Sequence, residues 1–453
     1  MENLPVAIIG GGPVGLAAAA HLISRGVPAK LYESAETVGG NVREWGHVRL
    51  FSPWRYNTDP ASRDILKRHG WQEPPGDVLP TGNDLFDAYL KPLSQTPELS
   101  ALIETKAKVR SVARRGSGKT LSRGRGRNPF SLVVENGATR IDLARAVIDA
   151  SGTWQNQNPL GASGVDAAGE DAFAGRIAYG IPDVLGAARD TYRAQRVLVV
   201  GSGHSAANVL LDLARLAESD GKIEITWSVR TDSPERAFGG GSADQLEARG
   251  KLGTDLRNLV ESGRVRFVTG FAAERLDADG DGIRVSGLAG GREVALPAVD
   301  RIVVATGQRP DLDLTREIRL DLDPALESTR ALGPLIDPNV HSCGSVPPHG
   351  YKELAHPEPD YFVAGVKSYG RAPTFLLATG YEQVRSIAAH IAGDEKAASE
   401  VHLVLPETGV CTTGPSGQAG ECCGGPAPAQ VDACCADDAT AKSQGAKGCG
   451  CHG

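Results

Sequence analysis

Two runs of small residues carry the chemistry this sequence can be read for. Gly10-x-Gly12-x-x-Gly15 follows the apolar run Val6 to Ile9 and leads into a small-residue stretch from Leu16 to Ser24. Gly201-Ser202-Gly203-His204-Ser205-Ala206 follows Arg196 to Val200 and leads into a helical pattern reaching about Leu216. A turn of this kind between a buried strand and a helix binds a pyrophosphate. The first glycine makes the tight turn, the second lets the phosphates approach the backbone, and the third small residue lets helix and strand pack closely. The positive end of the helix then faces the anion. Ala206 in the third place of the second run satisfies the pattern.

The strand after each run sets the expected nucleotide. Ala29 to Glu33 reads as a strand ending on an acid 18 residues beyond Gly15, where a carboxylate reaches ribose hydroxyls. Ile223 to Val229 ends instead on Arg230, and an arginine there suits a 2′-phosphate. The second nucleotide is therefore expected to be NADPH. His204 reads as a helix-start residue rather than a base.

The cysteines form a separate pattern. Of eight, only Cys343 precedes residue 411; Cys411, Cys422, Cys423, Cys434, Cys435, Cys449 and Cys451 make up the rest. This is no disulfide framework for the fold. Adjacent pairs and Cys-x-Cys do not match the usual spacing of a structural zinc site. They suit soft ions that accept two or three thiolates at short range, so Cys422, Cys423, Cys434, Cys435, Cys449 and Cys451 are candidate metal ligands. Beyond Pro406 large apolar residues almost vanish, and the segment is expected to be disordered without a ligand.

The intervening elements must position these turns. Gly39-Gly40 allows another close backbone approach, and Trp45 offers an aromatic face. Residues 48–60 read as an irregular loop around a buried Trp54, and residues 84–95 as helical. Lys106 to Val112 and Phe130 to Glu135 alternate as strands, joined by a basic loop from Arg114 to Arg127 expected to be solvated. Ala144 to Ala150 and Val299 to Ala305 read as buried strands ending in Ser151-Gly152-Thr153 and Thr306-Gly307-Gln308. Each fingerprint thus has its own later strand running into a glycine. Tyr361 to Gly365 is one more buried strand, followed by a polar loop and a helix from about Thr379 to Ile391 whose positive end favours an electron-rich group.

Together these features resemble the two-dinucleotide-binding-domain flavoproteins over roughly residues 4–395. Within them the chain looks most like the flavin-containing monooxygenases, in particular a branch found in arsenic-resistance operons. The resemblance implies an α/β fold of two Rossmann-like domains, the NADPH domain inserted in the FAD domain. The expected boundaries are 1–158 and 300–395 for FAD, 159–299 for NADPH, and 406–453 for the Cys-rich tail. It implies FAD at Gly10, Gly12, Gly15, Glu33, Gly40, Trp45, Val109, Gly152 and Gly365. It implies NADPH at Gly201, Gly203, Ser205, Ala206 and Arg230. Arg55, Asn57, Lys367 and Tyr369 are the candidate stabilising and orienting groups. The monooxygenase signature Phe-x-Gly-x-x-x-His-x-x-x-Tyr/Trp departs here: Tyr179 stands in place of the histidine and Asp183 in place of the aromatic.

Composition bounds the remaining classes. A net charge of −7 argues against nucleic acid as a main partner. The most apolar stretches are short and interrupted, so no membrane span is expected. The first strand begins at the sixth residue, leaving no room for a signal peptide before it, and a cytoplasmic location is expected. A small-molecule substrate is expected, and a homodimer is compatible with the sequence. Disulfide reductases of this fold carry a Cys pair beside the flavin, and none stands before residue 411. Three functions remain: a monooxygenase acting on a soft or metalloid substrate, a reductase served by the tail cysteines, and a metal-binding redox sensor.

Overall fold

The computed structural model describes residues 3–403 apart from 234, 240, 242, 243, 245, 340–345 and 374. All eight cysteines, and so every proposed metal ligand and the 406–453 segment, lie outside the described residues.

Strands β1 (Val6–Ile9), β2 (Ala29–Tyr32), β3 (Ile103–Glu104), β7 (Ala146–Asp149) and β16 (Tyr361–Val363) form one parallel sheet, in the order β16-β7-β1-β2-β3. Strands β8 (Ile177–Tyr179), β9 (Arg196–Val200), β10 (Glu224–Ser228), β11 (Arg266–Val268) and β15 (Arg301–Val304) form a second, in the order β11-β10-β9-β15-β8. Read outward from the fingerprint strand, four strands share one order, β7-β1-β2-β3 in the first and β15-β9-β10-β11 in the second; the outermost strand differs, β16 coming last in its unit and β8 before its fingerprint strand. A three-stranded antiparallel sheet precedes the later strand each time: β4 (Lys108–Arg114), β5 (Phe130–Asn136) and β6 (Ala138–Ala144) before β7, and β12 (Phe271–Asp279), β13 (Gly282–Ala289) and β14 (Arg292–Ala295) before β15. The fold is α/β with two Rossmann-like units, as expected.

Strand periodicity decides what each face meets. Val6 and Ile8 pack among helix α1 (Pro13–Ser24) and the long C-terminal helix, while Ala7 and Ile9 pack against the β4–β6 sheet. In the second unit Val197 and Val199 face helix residues, and Leu198 and Val200 face the β12–β14 sheet. Both faces of each parallel sheet are covered, which is why these strands are continuous apolar runs.

The remaining helices used below are α2 (Gly40–Glu44), α3 (His204–Asp220), α4 (Glu247–Glu261) and α5 (Leu377–Ile391). Helix α3 runs a turn beyond its expected end, stopping at Gly221 in the left-handed conformation. The expected boundary at residue 300 needs correction. β15 pairs with β9, Ile302 opposite Leu198, so the chain returns to the first sheet only after Val304. The two crossing segments are bonded to each other: Asn158 N donates to Gly307 O at 2.9 Å, and Arg309 N donates to Asn156 O at 3.0 Å.

The basic loop also departs from expectation. Arg114 and Arg125 are buried, and both donate to the buried Glu358 carboxylate, Arg114 Nε at 2.8 Å and Arg125 Nε and Nη2 at 2.9 and 2.8 Å. Arg114 lies over the Phe130 ring at 3.7 Å. The loop is held down by two of its own cations, while Arg115, Lys119, Arg123 and Arg127 remain exposed. Among the described residues no helix is long and apolar enough to cross a membrane.

The Glu358 cluster makes a stability prediction. Burial pushes this carboxyl up, but its bonds to the two guanidinium groups outweigh that and hold it below the usual range. Its contribution is complete above the ordinary glutamate value of about 4.3 and is lost as the pH falls through the lower folded value. Glu358→Gln leaves two buried cations uncompensated and should cost about 3–5 kcal/mol in urea unfolding at pH 7. A loss under about 1 kcal/mol would show the cluster to be solvated.

Candidate functional site

Each fingerprint turn is shaped by contact with the strand beside it. Gly10 has φ +101, and a Cβ there would stand 2.6 Å from the Ala150 carbonyl oxygen at the end of β7. Gly201 has φ +131, and a Cβ there would stand 2.2 Å from the Ala305 carbonyl oxygen at the end of β15. Only glycine fits both. At Gly15 a Cβ would lie 1.9 Å from the Gly10 oxygen, so this residue sets the approach of helix to turn. In the second turn the fully buried Ala206 takes the third place, and Trp227 Nε1 donates to the Gly201 oxygen at 2.7 Å.

The middle glycines differ. Nothing lies within 4 Å of a Cβ built at Gly12 or Gly203. Each is the N-cap of its helix, without a side-chain cap and without an acid in the first turn. Open backbone at an uncapped positive helix end fits a pyrophosphate. The residues present therefore suit one dinucleotide at each turn.

Glu33, Gly152 and Gly365 follow the ends of β2, β7 and β16 in the first sheet. Glu33 comes directly after β2, with its carboxylate accepting from Gly11 N and Ala35 N, each at 2.7 Å. Those bonds fix it beside the turn and leave acceptor capacity for hydroxyls. Gly39, at φ +65, donates its amide to the Gly11 oxygen at 2.9 Å and is the N-cap of α2, and a Cβ at the next residue, Gly40, would stand 2.6 Å from the Ala35 Cβ. Trp45 ends α2 and packs on Gly82. Gly152 has φ +76 and open space, and Gly365 has φ +75 beside Val14 of α1. Val109 is buried in the β4–β6 sheet against the first sheet, so its side chain serves the core. Ser205 is half-buried in the first turn of α3. Arg230 lies just past β10 and is exposed, its Nη1 donating to the Ala162 oxygen at 2.8 Å.

The four candidate orienting groups are not brought together. Arg55 points outward and pairs with Asp77. Asn57 is 1% exposed and holds its own loop, donating to the Ser52 and Pro53 carbonyl oxygens and accepting from Ser52 Oγ at 2.9 Å. Lys367 is 2% exposed and donates to Asp149 Oδ2 at 2.8 Å and Ser151 Oγ at 3.0 Å. Burial pushes the Asp149 carboxyl up, and Lys367 and Ser151 overcome this and hold it below the usual range. Tyr369 is buried, packing on His349 and Phe375, and burial pushes its hydroxyl well up. Asn57 braces its own loop, Arg55 and Lys367 pair with acids, and Tyr369 packs between rings, so the four face no common point. Of the four, only Asn57 lines a cleft of about 110 Å³ at the start of α5, with Leu50, Phe51, Ser52, Phe375, Leu376 and Leu377.

The departures from the monooxygenase signature also have structural duties. Tyr179 donates to the buried Glu170, which also accepts from Leu160 N at 2.8 Å and Ala167 N at 2.6 Å. Asp183 caps the amides of Gly186 and Ala187, each at 3.0 Å.

Sequence reasoning missed one cluster between the two units. The rings of Phe51 and His204 lie 5.1 Å apart, and the Arg249 guanidinium stands 5.7 Å from the Phe51 ring centre. Arg249 is held by a bidentate bond to the buried Asp244, at 2.6 and 2.8 Å. Burial, then Arg249, pushes the His204 imidazole down to about 4, so it is neutral near pH 7. Residues 51, 204 and 249 share no spacing that could announce the contact. Among the described residues no group of His, Cys, Asp or Glu could hold a metal ion.

Residues 4–356 match the family described as pyridine nucleotide-disulphide oxidoreductase, and the chain belongs to that family of flavin-dependent oxidoreductases. No curated protein matches it. Among solved structures it is similar to the bacillithiol disulfide reductase Bdr from Bacillus cereus, at 18% identity and a TM-score of 0.60, covering 86% of this chain and 99% of that one. It is similar to a flavin-containing monooxygenase from Stenotrophomonas maltophilia, at 20% identity and a TM-score of 0.58, covering 87% and 99%. A third is the FAD-bound cadaverine monooxygenase of desferrioxamine biosynthesis from Erwinia amylovora, at 11% identity and a TM-score of 0.61, covering 89% and 98%. At these identities the likeness shows the shared fold.

The two kinds of glycine give opposite predictions. Gly12→Val enters open space and should fold normally, but purify with little FAD. Gly15→Val meets backbone and should fail to fold. Circular dichroism and flavin absorbance on the two variants check both; a folded, fully FAD-loaded Gly12→Val would remove the first turn from the cofactor site.

Proposed function

We propose that this chain is an FAD- and NADPH-dependent oxidoreductase of the monooxygenase type, acting on a small soft or metalloid-containing substrate. The observation that carries the cofactor reading is the pair of open glycines, Gly12 and Gly203, each at an uncapped helix start. Bound FAD would supply two-electron chemistry, taking hydride from NADPH and passing electrons to oxygen or another acceptor. The amides of the first turn would hold its pyrophosphate, and the Glu33 carboxylate would fix its ribose. Arg230 would leave the Ala162 carbonyl for the 2′-phosphate of NADPH, a charge-assisted bond stronger than the one it gives up. The apolar walls of Leu50, Phe51, Phe375, Leu376 and Leu377 would keep water from the reacting centre.

Oxygen is favoured as acceptor because Cys343 is the only cysteine before residue 411, so no dithiol can stand beside either turn in sequence. The arsenic-related substrate rests on the family resemblance and on the thiol-rich tail. The seven cysteines from Cys411 onward favour one rival, a reductase that passes electrons or a metal ion through them.

Two experiments test this. NADPH should bleach the flavin under argon, air should restore it, and arsenite should raise oxygen uptake. Deletion of residues 406–453 should leave uptake intact and weaken only the apparent affinity for substrate; loss of all onward transfer from the reduced flavin would establish the tail-relay reductase instead. Separately, Arg230→Ala should weaken NADPH by about 1.5–3 kcal/mol, tenfold or more, and leave NADH nearly unchanged. Equal effects on the two coenzymes would remove Arg230 from the site.

A further inference from the structure

We propose that Phe51 couples the coenzyme turn to the cleft at the start of α5, so that a nicotinamide coenzyme changes the cleft's affinity for a small neutral ligand. This rests on the reading that the second turn binds that coenzyme.

Phe51 belongs to both places. It lines the cleft with Leu50, Ser52, Asn57, Phe375, Leu376 and Leu377. Its ring also rests on His204, the first residue of α3, and under Arg249, a residue of α4. The loop that carries Phe51 is anchored on its other side by backbone and side-chain bonds. Leu50 N donates to Pro80 O at 2.9 Å, Trp54 N donates to Val78 O at 3.0 Å, and Asn57 binds the Ser52 and Pro53 carbonyl oxygens. The ring is therefore the adjustable part.

Both contacts that hold the ring are sensitive to phosphate. His204 immediately follows Gly203, whose open backbone at the helix start is where a pyrophosphate would lie. Arg249 is a buried cation whose counter-ion is the Asp244 carboxylate. A dianion arriving beside His204 competes with Asp244 for that guanidinium and draws it from the Phe51 face. The neutral imidazole has no charge of its own to offset the change. Phe51 then shifts, and with it the cleft wall that it forms. The cleft offers no charged side chain, only Ser52 and Asn57 as polar lining. Its ligand is accordingly a small uncharged molecule, and by thermodynamic linkage that ligand must alter coenzyme affinity in return.

The test uses the FAD-loaded, oxidised full chain. NADP⁺ is titrated against the flavin absorbance, with and without saturating methyl phenyl sulfide as a neutral probe of the cleft. The sulfide should change the apparent NADP⁺ Kd by about fivefold or more in the wild type. In Phe51→Ala the change should fall below about twofold, and Phe51→Tyr should restore it. If Phe51→Ala does not fold, His204→Ala removes the same contact from the other side and should likewise abolish the change. An undiminished shift in the alanine variants overturns the proposal. So does a wild type that binds both ligands independently, or one that binds NADP⁺ and ignores the sulfide. Failure of the coenzyme reading looks different, since NADP⁺ would then give no titration even without sulfide, and the coupling would fall with it.

Discussion

The structure depends on one repeated steric constraint, a turn glycine pressed against the carbonyl at the end of the neighbouring parallel strand. Gly10 meets Ala150 and Gly201 meets Ala305, at distances that leave no room for a Cβ. That contact fixes where β7 and β15 end, and so where the chain leaves each sheet. It also fixes the height of the helix start above the sheet, because Gly15 and Ala206 in turn pack onto the same turn. The open sides of Gly12 and Gly203 are its consequence. With the outer small residues consumed by packing, the middle one alone is left facing solvent, at the point where the helix amides converge.

The repeat is legible in the sequence because it is written in local patterns. Strand, glycine turn, helix and a charged residue after the next strand occur within some thirty positions each time, and both prove to be parallel units that share the order of four strands. The later strands are also legible as apolar runs ending in glycine. Their assignment is not. A boundary at residue 300 puts β15 in the first unit, although its likeness to β7 argues that each fingerprint owns one such strand. The β12–β14 sheet escapes sequence reading for a different reason. Its strands carry Arg, Glu and Asp at exposed positions and bury one face against the parallel sheet, so the apolar signal is half that of a core strand.

Side-chain partnerships across long sequence gaps leave no trace in the sequence. Arg114, Arg125 and Glu358 look like ordinary loop charges until the fold brings them together, where each is buried and matched. Lys367 draws notice for its polarity next to Gly365, and the fold turns it back onto Asp149, 218 positions away. The same holds for Phe51 and His204. A motif can report what a backbone turn binds, because the turn's requirements are local. It cannot report which distant loop closes over that turn.

These partnerships also say how the units could do chemistry with few reactive side chains. The charged and polar groups nearest the first turn are spent on other groups of the protein: Glu33 on the Gly11 and Ala35 amides, Gln383 on the Gly365 amide at 2.8 Å, and Lys367 on the Asp149 and Ser151 side chains. The Glu33 and Gln383 bonds fix the amides of Gly11 and Gly365 directly. The reactive part of a family that works through flavin and nicotinamide is carried by the cofactors, and the protein's task is to set their distance and orientation. A residue of catalytic type then serves better as a brace. The zipped crossing segments serve the same end. Asn158 bonds Gly307 and Thr306 from the opposite segment, so the two paths between the sheets are tied to each other where they cross.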